Sequence, residues 1–224
     1  MLFIPLLGGC EAPYSTLSPA GPSAQMAANL WWGMFALFSL VMVAVIALWV
    51  IAHRRDPGRQ SPDQQQQVQQ RWIIGGGLML PLASIIVILA FGIPAGHRML
   101  PLPLDDGEPL VIEVTGHQWF FSVHYPEHDI NLVDELHIPA GVPIDVRLKS
   151  ADVIHAFWVP RLAGKVDMIP GHTNTLRLQA DAPGVYRGHC AEFCGTRHAH
   201  MQFHVHAHSA QDYAAWLSET AADD

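Results

Sequence analysis

Two long runs of the chain contain no Asp, Glu, Lys or Arg, and they constrain its fold more than any other feature. They extend from Leu30 to Ala52 and from Trp72 to Gly96. At about 1.5 Å per residue, a helix over either run is roughly 35 Å long, enough to cross a hydrocarbon core of about 30 Å. Such runs seldom occur twice in so short a soluble chain. The sequence therefore predicts a two-helix transmembrane hairpin over residues 29–98, rather than two buried helices of a soluble core.

The segment between the two runs, residues 53–71, sets the orientation of the hairpin. It contains Arg54, Arg55, Arg59 and Arg71, whereas the first 28 residues contain no Lys or Arg. By the positive-inside rule this loop lies in the cytoplasm, so both ends of the chain face outward. Its run of glutamines, from Gln64 to Gln67, indicates a solvated connection or a short interfacial helical turn.

The N-terminal segment, residues 1–28, combines an apolar start with a Pro-, Ser-, Ala- and Gly-rich stretch. The sequence Leu7-Gly8-Gly9-Cys10 resembles a bacterial lipobox, in which the cysteine is acylated after signal cleavage. A lipoprotein anchor at Cys10 is therefore expected. A plain apolar N-terminus is the alternative, because the usual basic region is missing. The composition of residues 11–28 predicts a flexible tether.

The part of the chain after the second run is strongly acidic. From Asp105 to Asp224 there are 17 acidic and 7 basic residues, a formal net charge of −10. This charge argues against a nucleic-acid partner. It favours rapid encounter with a basic protein, an effect that should weaken as salt is added.

Short β-rich segments alternate with turn residues between Pro109 and His208. Pro139-Ala140-Gly141, Pro170-Gly171 and Pro183-Gly184 indicate the turns. This spacing predicts an all-β Greek-key sandwich or barrel over residues 105–208, followed by a C-terminal helix and tail over residues 209–224. The predicted strands cover residues 110–115, 119–125, 135–138, 144–150, 155–160, 173–179, 184–189 and 202–208.

Two thiols, an imidazole and a thioether occur within twelve residues, at Cys190, Cys194, His198 and Met201. Soft and borderline ligands of this kind select copper over magnesium or calcium. A disulfide is the simplest alternative in an oxidising compartment. One copper ion needs only one thiolate, and a structural zinc site normally has four Cys or His ligands. Two thiolates beside His and Met instead suit two copper ions bridged by both sulfurs, with a further histidine from upstream, best supplied by His155.

The pattern Cys-x-Glu-x-Cys-x3-His-x2-Met, with a histidine 35 residues before the first cysteine, resembles cytochrome c oxidase subunit II. The likeness covers nearly the whole chain, because that family also has a two-helix hairpin followed by an outward-facing cupredoxin domain. The resemblance implies a dinuclear copper centre of the CuA type. It also implies that the Glu192 carboxylate faces a magnesium or manganese ion shared with subunit I. The implied copper ligands are the side chains of His155, Cys190, Cys194, His198 and Met201 and the backbone carbonyl of Glu192.

The same resemblance implies an electron-accepting subunit of a haem-copper oxidase in the bacterial inner membrane, with its copper domain on the periplasmic face. It would take electrons from cytochrome c and pass them to haem in subunit I, beside other oxidase subunits, for oxygen reduction coupled to proton pumping. The chain is not expected to be catalytic alone, since neither apolar run holds a histidine cluster. Gly116-His117-Gln118-Trp119 resembles the family's electron-accepting segment. Trp119 is the candidate residue, and a buried structural tryptophan is the alternative.

Some positions depart from the family pattern. His172 and His189 stand where Arg and Gln are common, which leaves the electron donor open. Gln69 stands three residues before Trp72, where the family often has a glutamate associated with proton uptake. Because glutamine cannot titrate, proton uptake through this subunit is not expected.

Other function classes share parts of this pattern. A haem-copper nitric-oxide reductase subunit would have the same copper site. A membrane-anchored copper chaperone also uses a Cys-x3-Cys pair, but early in its domain. A quinol oxidase subunit shares the architecture without the metal loop, so Cys190 and Cys194 argue against it. His204, His206 and His208 share one face of a strand. We expect that face to be solvated, because no carboxylate or second ligand group lies nearby in sequence, and we do not expect His200 to be a ligand.

Overall fold

The computed structural model of the chain describes residues 12–54, 61–104 and 107–220. They form two compact units, one comprising residues 29–97 and the other comprising the residues before and after it. The helices are α1 (Pro22–Arg54), α2 (Pro62–Trp72), α3 (Leu80–Arg98) and α4 (Ala210–Thr220), with a π-helix (Ile73–Met79) joining α2 to α3 and a short 3-10 helix (His198–His200).

The first unit is helical, and its apolar side chains face outward. Two helical stretches, Pro22–Arg54 and Pro62–Arg98, are long and apolar enough to cross a membrane. Leu40 and Phe91 are each 69% exposed. An apolar surface of this extent is unfavourable in water, whereas lipid would cover it. The predicted pair of long apolar helices is confirmed.

Helix α2 occupies much of the segment predicted as a loop. The hydroxyl of Ser61 accepts a hydrogen bond from the Gln64 amide, and the Gln64 side chain accepts one from the Ser61 amide. This reciprocal cap, with Pro62 in the first turn, starts a helix that continues into the apolar run. The predicted loop over residues 53–71 is therefore helical at residues 53–54 and 62–71.

The second unit contains ten β-strands in two five-stranded sheets, which confirms the predicted all-β cupredoxin-like domain. Two short strands, β3 and β7, were not predicted. The strands are β1 (Leu110–His117), β2 (Phe120–Tyr125), β3 (Ile130–Val133), β4 (Glu135–Pro139), β5 (Ile144–Ser150), β6 (His155–Trp158), β7 (Val166–Met168), β8 (Asn174–Leu178), β9 (Gly184–Cys190) and β10 (Gln202–His208).

The two sheets have the strand orders β3-β2-β1-β5-β8 and β4-β10-β9-β6-β7. Most neighbours are antiparallel, but β1 pairs with β5 and β4 pairs with β10 in parallel. These crossovers connect strands that are distant in sequence. In the second sheet, β6 pairs with β9 in antiparallel orientation, with Phe157 opposite Cys190.

The core lies between the sheets and follows the alternation of the strands. In β1, Ile112 and Val114 are fully buried while their neighbours are partly exposed. Strand β5 has the same alternation at Ile144, Val146 and Leu148. One face of each strand thus supplies the apolar interior, and the sandwich provides a rigid frame for the loops at its ends.

The described residues before α1 pack against the β-sandwich of the second unit. The prediction that they form a flexible tether is therefore wrong. The Ala20 amide donates a hydrogen bond to the Arg161 carbonyl at 2.7 Å, and the Arg161 side chain donates to the Ser18 carbonyl at 2.8 Å. A Cβ on Gly21 would overlap the backbone of the β unit. Cys10, the predicted acylation site, lies outside the described residues.

The C-terminal helix forms as predicted. The Ser209 hydroxyl accepts a hydrogen bond from the Asp212 amide at 3.2 Å and donates one to the Asp212 carboxylate at 2.6 Å. Tyr213 is buried and Trp216 is partly buried, and both pack on the β unit. The helix therefore covers part of the sheet that contains β4 and β10.

Candidate metal centre

The predicted ligands lie at one end of the second sheet. Strand β9 ends at Cys190 and β10 begins just after Met201, and the Cys190 amide donates a hydrogen bond to the Met201 carbonyl at 2.9 Å. The chain between them forms a closed loop. Gly195 has a φ of 124° in this loop, a conformation that favours glycine. His155 opens β6, the strand paired with β9.

The two cysteines are close together but are not bonded. Their Sγ atoms are 3.8 Å apart, whereas a disulfide bond is about 2.05 Å long. Both thiols are free and buried. The disulfide that remained an alternative for this pair is therefore absent from the structure.

Each thiol has an imidazole beside it. His155 Nδ1 is 3.9 Å from Cys190 Sγ, and His198 Nδ1 is 3.6 Å from Cys194 Sγ. The Met201 thioether lies 3.8 Å from Cys194 Sγ, and the Glu192 carbonyl oxygen lies 3.2 Å from Cys190 Sγ. Ligands about 2.0–2.3 Å from a shared metal are typically about 3.5 Å from one another. The spacing and the soft donor set therefore fit copper.

The cluster is shielded from solvent. His155 is fully buried, and Cys190, Cys194 and Met201 are at most 3% exposed. Burial, followed by the neighbouring Cys190 thiol, raises the pKa of Cys194. Two buried thiolates side by side would be costly without a cation, and a bound metal would compensate their charge.

Asp152 orients the buried histidine, and the sequence analysis missed this role. Its carboxylate lies 2.7 Å from His155 Nε2 and accepts a hydrogen bond from the Gln118 amide at 2.7 Å. Burial opposes its charge, but the bonds from His155 and from two backbone amides keep the pKa of Asp152 below its ordinary value. Because a carboxylate only accepts hydrogen bonds, Nε2 carries the proton and the Nδ1 lone pair faces Cys190. The only signal in the sequence is an aspartate three residues before His155.

Gly116 leaves space for the same imidazole. A Cβ at this position would lie 2.8 Å from His155 Cδ2, closer than side chains approach one another. The glycine of the Gly116-His117-Gln118-Trp119 segment is thus required by the packing of a predicted ligand.

Trp119 lies against the metal loop. Its ring atoms would be 3.2 Å from a Cβ placed on Gly195, and the neighbouring Gln118 side chain donates a hydrogen bond to the Cys194 carbonyl at 2.7 Å. Trp119 is half-buried against the core, and its indole nitrogen has no hydrogen-bond partner within the described part of the chain. Its role in accepting electrons stays a prediction.

The remaining predicted positions lie near the surface. The Glu192 carboxylate is 3.3 Å from the Lys165 ammonium group, which also contacts Asp167 at 2.6 Å. Its role toward magnesium or manganese stays a prediction. His200 is exposed on the 3-10 helix, whereas His198 in the same helix faces Cys194.

Comparison with known proteins agrees with this architecture. The family model described as the periplasmic domain of cytochrome c oxidase subunit II matches residues 128–208. "Cytochrome c oxidase subunit 2" of Alkalihalophilus pseudofirmus is 34% identical over an alignment of 240 residues, gaps included. This alignment covers 99% of this chain and 68% of the relative. "Quinol oxidase subunit 2" of Bacillus cereus is 34% identical over 221 residues, which cover 95% of this chain and 75% of the relative.

A solved structure supports the same relation. The periplasmic domain of subunit II of cytochrome oxidase from Bradyrhizobium japonicum aligns with a TM-score of 0.50 and 29% sequence identity. The alignment covers 54% of this chain and 99% of that domain. The similarity therefore extends through the domain that holds the thiol cluster.

Proposed function

Because the chain belongs to the cytochrome c oxidase subunit II family, we propose that it is the electron-accepting subunit of a haem-copper terminal oxidase and carries a CuA centre. Electrons from cytochrome c would pass through this centre to haem in subunit I, where oxygen is reduced and protons are pumped. The proposed ligands are His155, Cys190, Cys194, His198, Met201 and the Glu192 carbonyl.

One observation carries the proposal, the convergence of two unbonded thiols with two imidazoles and a thioether. The Sγ atoms are 3.8 Å apart, and each has a histidine Nδ1 within 3.9 Å. These residues would hold a dinuclear copper centre, which would supply one-electron transfer chemistry. The buried donors and the surrounding sheet keep their positions fixed, which limits the rearrangement that accompanies each electron transfer.

The supporting residues would prepare the site before metal binds. Asp152 keeps the His155 Nδ1 lone pair directed toward Cys190, and the Gln118 side chain holds the Cys194 carbonyl. Trp119 lies beside the same loop, so we propose it as the electron-accepting aromatic residue. Its contact with Gly195 would give an electron a short path inward.

The thiol pair favours cytochrome c over a quinol as donor. Relatives of this chain include subunits of both cytochrome c and quinol oxidases. We expect a quinol oxidase subunit to lack the metal loop, whereas this chain has all the donors of the loop. Reduced cytochrome c should therefore reduce the purified copper-loaded complex, whereas a quinol supplied alone should not.

We further propose that the two apolar helices anchor the chain in the bacterial inner membrane, with the copper domain on the periplasmic face. The arginines between the runs support this orientation. The Glu192 carboxylate could then meet a magnesium or manganese ion together with ligands from subunit I. Its side chain is 45% exposed, which leaves it accessible to such a partner.

Electron paramagnetic resonance of the full-length, copper-loaded chain tests the proposal. One unpaired electron shared by two coppers gives a hyperfine pattern unlike that of a single copper. We expect Cys194→Ser and His198→Gln to abolish this pattern while the protein remains inserted. His200→Gln is the matched control, because His200 is exposed in the same 3-10 helix. An unchanged dinuclear signal in Cys194→Ser would refute the ligand assignment.

A further inference from the structure

The outward face of β10 is not simply solvated. His206 and His208 are half-buried, and the Tyr213 and Trp216 rings of the C-terminal helix lie beside His208. The parallel pairing of β10 with β4 places His206 directly opposite His137. Glu135 lies two residues before His137 on the same face of β4. Although no such group lies nearby in sequence, strand pairing brings Glu135 and His137 beside His206, and the face predicted to be solvated is half-buried.

Three of these side chains converge. One donor atom from each of Glu135, His137 and His206 lies within 4.8 Å of the other two. The Glu135 carboxylate is 3.8 Å from His137 Nε2. The rings of His137 and His206 are stacked with centroids 4.7 Å apart.

Further contacts prepare these histidines to bind a cation. His137 Nδ1 is 2.8 Å from His208 Nε2, so this bond fixes one side of the His137 ring and leaves Nε2 facing Glu135. Nε2 of His206 is buried and makes no hydrogen bond among the described residues. A buried polar atom without a partner is uncommon and points to a missing ligand.

Electrostatics favours the ligating form of both imidazoles. Burial, reinforced by His206 and His208 and opposed by Glu135, lowers the pKa of His137 to about 4. Burial is also the main cause that lowers the pKa of His206. Neutral imidazole is the form that binds metals.

We propose that Glu135, His137 and His206 form a second metal site, separate from the thiol cluster, which binds Zn²⁺. Two imidazoles and one carboxylate suit zinc, whereas magnesium and calcium prefer oxygen ligands alone. With His137 Nε2 as the ligand atom, Nδ1 carries the proton and donates it to His208 Nε2, the kind of outer hydrogen bond that orients a ligating histidine. The Glu135 side chain is 55% exposed and can rotate to close the remaining distance.

The site would join strands that the sequence keeps far apart. Strand β4 is at the edge of its sheet, and β10 follows directly after the thiol cluster. The Trp216 ring of α4 stacks on His137 with centroids 4.3 Å apart and an interplanar angle of 2°. Zinc bound here would therefore hold β4, β10 and α4 together.

Equilibrium dialysis of the full-length chain against ⁶⁵Zn²⁺ tests the proposal. The chain is first loaded with copper, so that the thiols are occupied, and excess Mg²⁺ is present throughout. We expect one zinc ion per chain. Glu135→Gln and His206→Gln should each weaken its binding at least tenfold while the copper spectrum is unchanged. Because Glu135 is exposed, its variant should fold normally.

Two controls make the result decisive. His124→Gln removes a histidine from β2 in the other sheet, where its ring contacts Asn131, and should keep the zinc. An unchanged copper spectrum in Glu135→Gln and His206→Gln separates this site from the proposed CuA centre. Zinc bound equally well by Glu135→Gln, His206→Gln and the parent chain would overturn the proposal. Zinc displaced by Mg²⁺, or lost equally in His124→Gln, would mean adventitious binding only and would also overturn it.

Discussion

Gly116 shows at the residue scale how a position outside the ligand set can control a metal site. Its missing side chain makes room for the His155 imidazole, whose Nε2 atom is hydrogen-bonded to Asp152. Asp152 and Gly116 thus determine where one candidate donor atom lies, although neither belongs to the proposed ligand set.

We expect Gly116→Ala to weaken copper retention at least tenfold, because the new methyl group would push His155 away from Cys190. Copper content after dialysis against a chelator measures this effect. Gly164→Ala is the control, since a Cβ there meets no atom within 4 Å. Equal copper retention in the two variants would show that the close approach at Gly116 is unimportant.

Glu113 gives a pH-dependent contribution to stability. Its carboxylate lies 2.9 Å from the Lys149 ammonium group, and this hydrogen bond, opposed by burial, keeps the pKa of Glu113 below its ordinary value. The stability it supplies is present above the unfolded-state pKa and is lost as the pH falls through the lower folded-state pKa.

Glu113→Gln should therefore lower the free energy of unfolding by about 0.5–1 kcal/mol at pH 7. The difference from the parent chain should shrink toward zero as the pH falls below the folded-state pKa. Denaturant unfolding at a series of pH values measures it. A difference that stays constant over this range would contradict the ion-pair explanation.

At the scale of elements, the cap of α4 provides a direct test of helix stability. Ser209→Ala removes the hydroxyl that accepts a hydrogen bond from the Asp212 amide. It should lower the free energy of unfolding by about 1 kcal/mol. Ser218→Ala is the control, because the Ser218 hydroxyl only donates back to the Ala215 carbonyl within the helix. Thermal unfolding of both variants checks the prediction, and equal midpoints would refute it.

The elements also show how far sequence patterns reach. Long apolar runs and alternating strands are local signals, so the two helices, eight of the strands and the dense group of thiols and histidines could be predicted. Strand β7 has only three residues, and the four-residue β3 contains Asn131 and lies between Asp129 and Asp134, so neither shows a clear strand pattern. Asp152 was missed because its role depends on tertiary contacts. The neighbours of His206 and the packed segment before α1 depend on strand pairing and long-range hydrogen bonds, which composition does not encode.

At the scale of the whole molecule, the main electrostatic feature is the negative charge of the part that follows the second apolar run. Its net charge of −10 should attract a basic donor from a distance. Glu135 contributes to this field from an exposed position, whereas Asp134 accepts a hydrogen bond from the Phe121 amide and is half-buried.

Raising the ionic strength from about 10 mM to about 200 mM should slow electron transfer from a basic cytochrome c roughly tenfold, because the screening length falls below 10 Å. Stopped-flow reduction of the copper-loaded complex measures the rate. A small uncharged reductant should show little change over the same range. A rate of electron transfer from the cytochrome that does not depend on salt would show that electrostatic steering does not contribute.

The packing of residues 18–24 against Arg161 and Leu162 makes the β domain discontinuous in sequence. Its first piece precedes the apolar pair, and the rest follows it. During biosynthesis the leading piece has no docking surface until residues 161–181 have been synthesised. A β domain cut out at the end of α3 would lack residues 18–24, and its surface around Arg161 and Leu162 would be exposed. A stable soluble version should therefore have residues 18–24 fused to it.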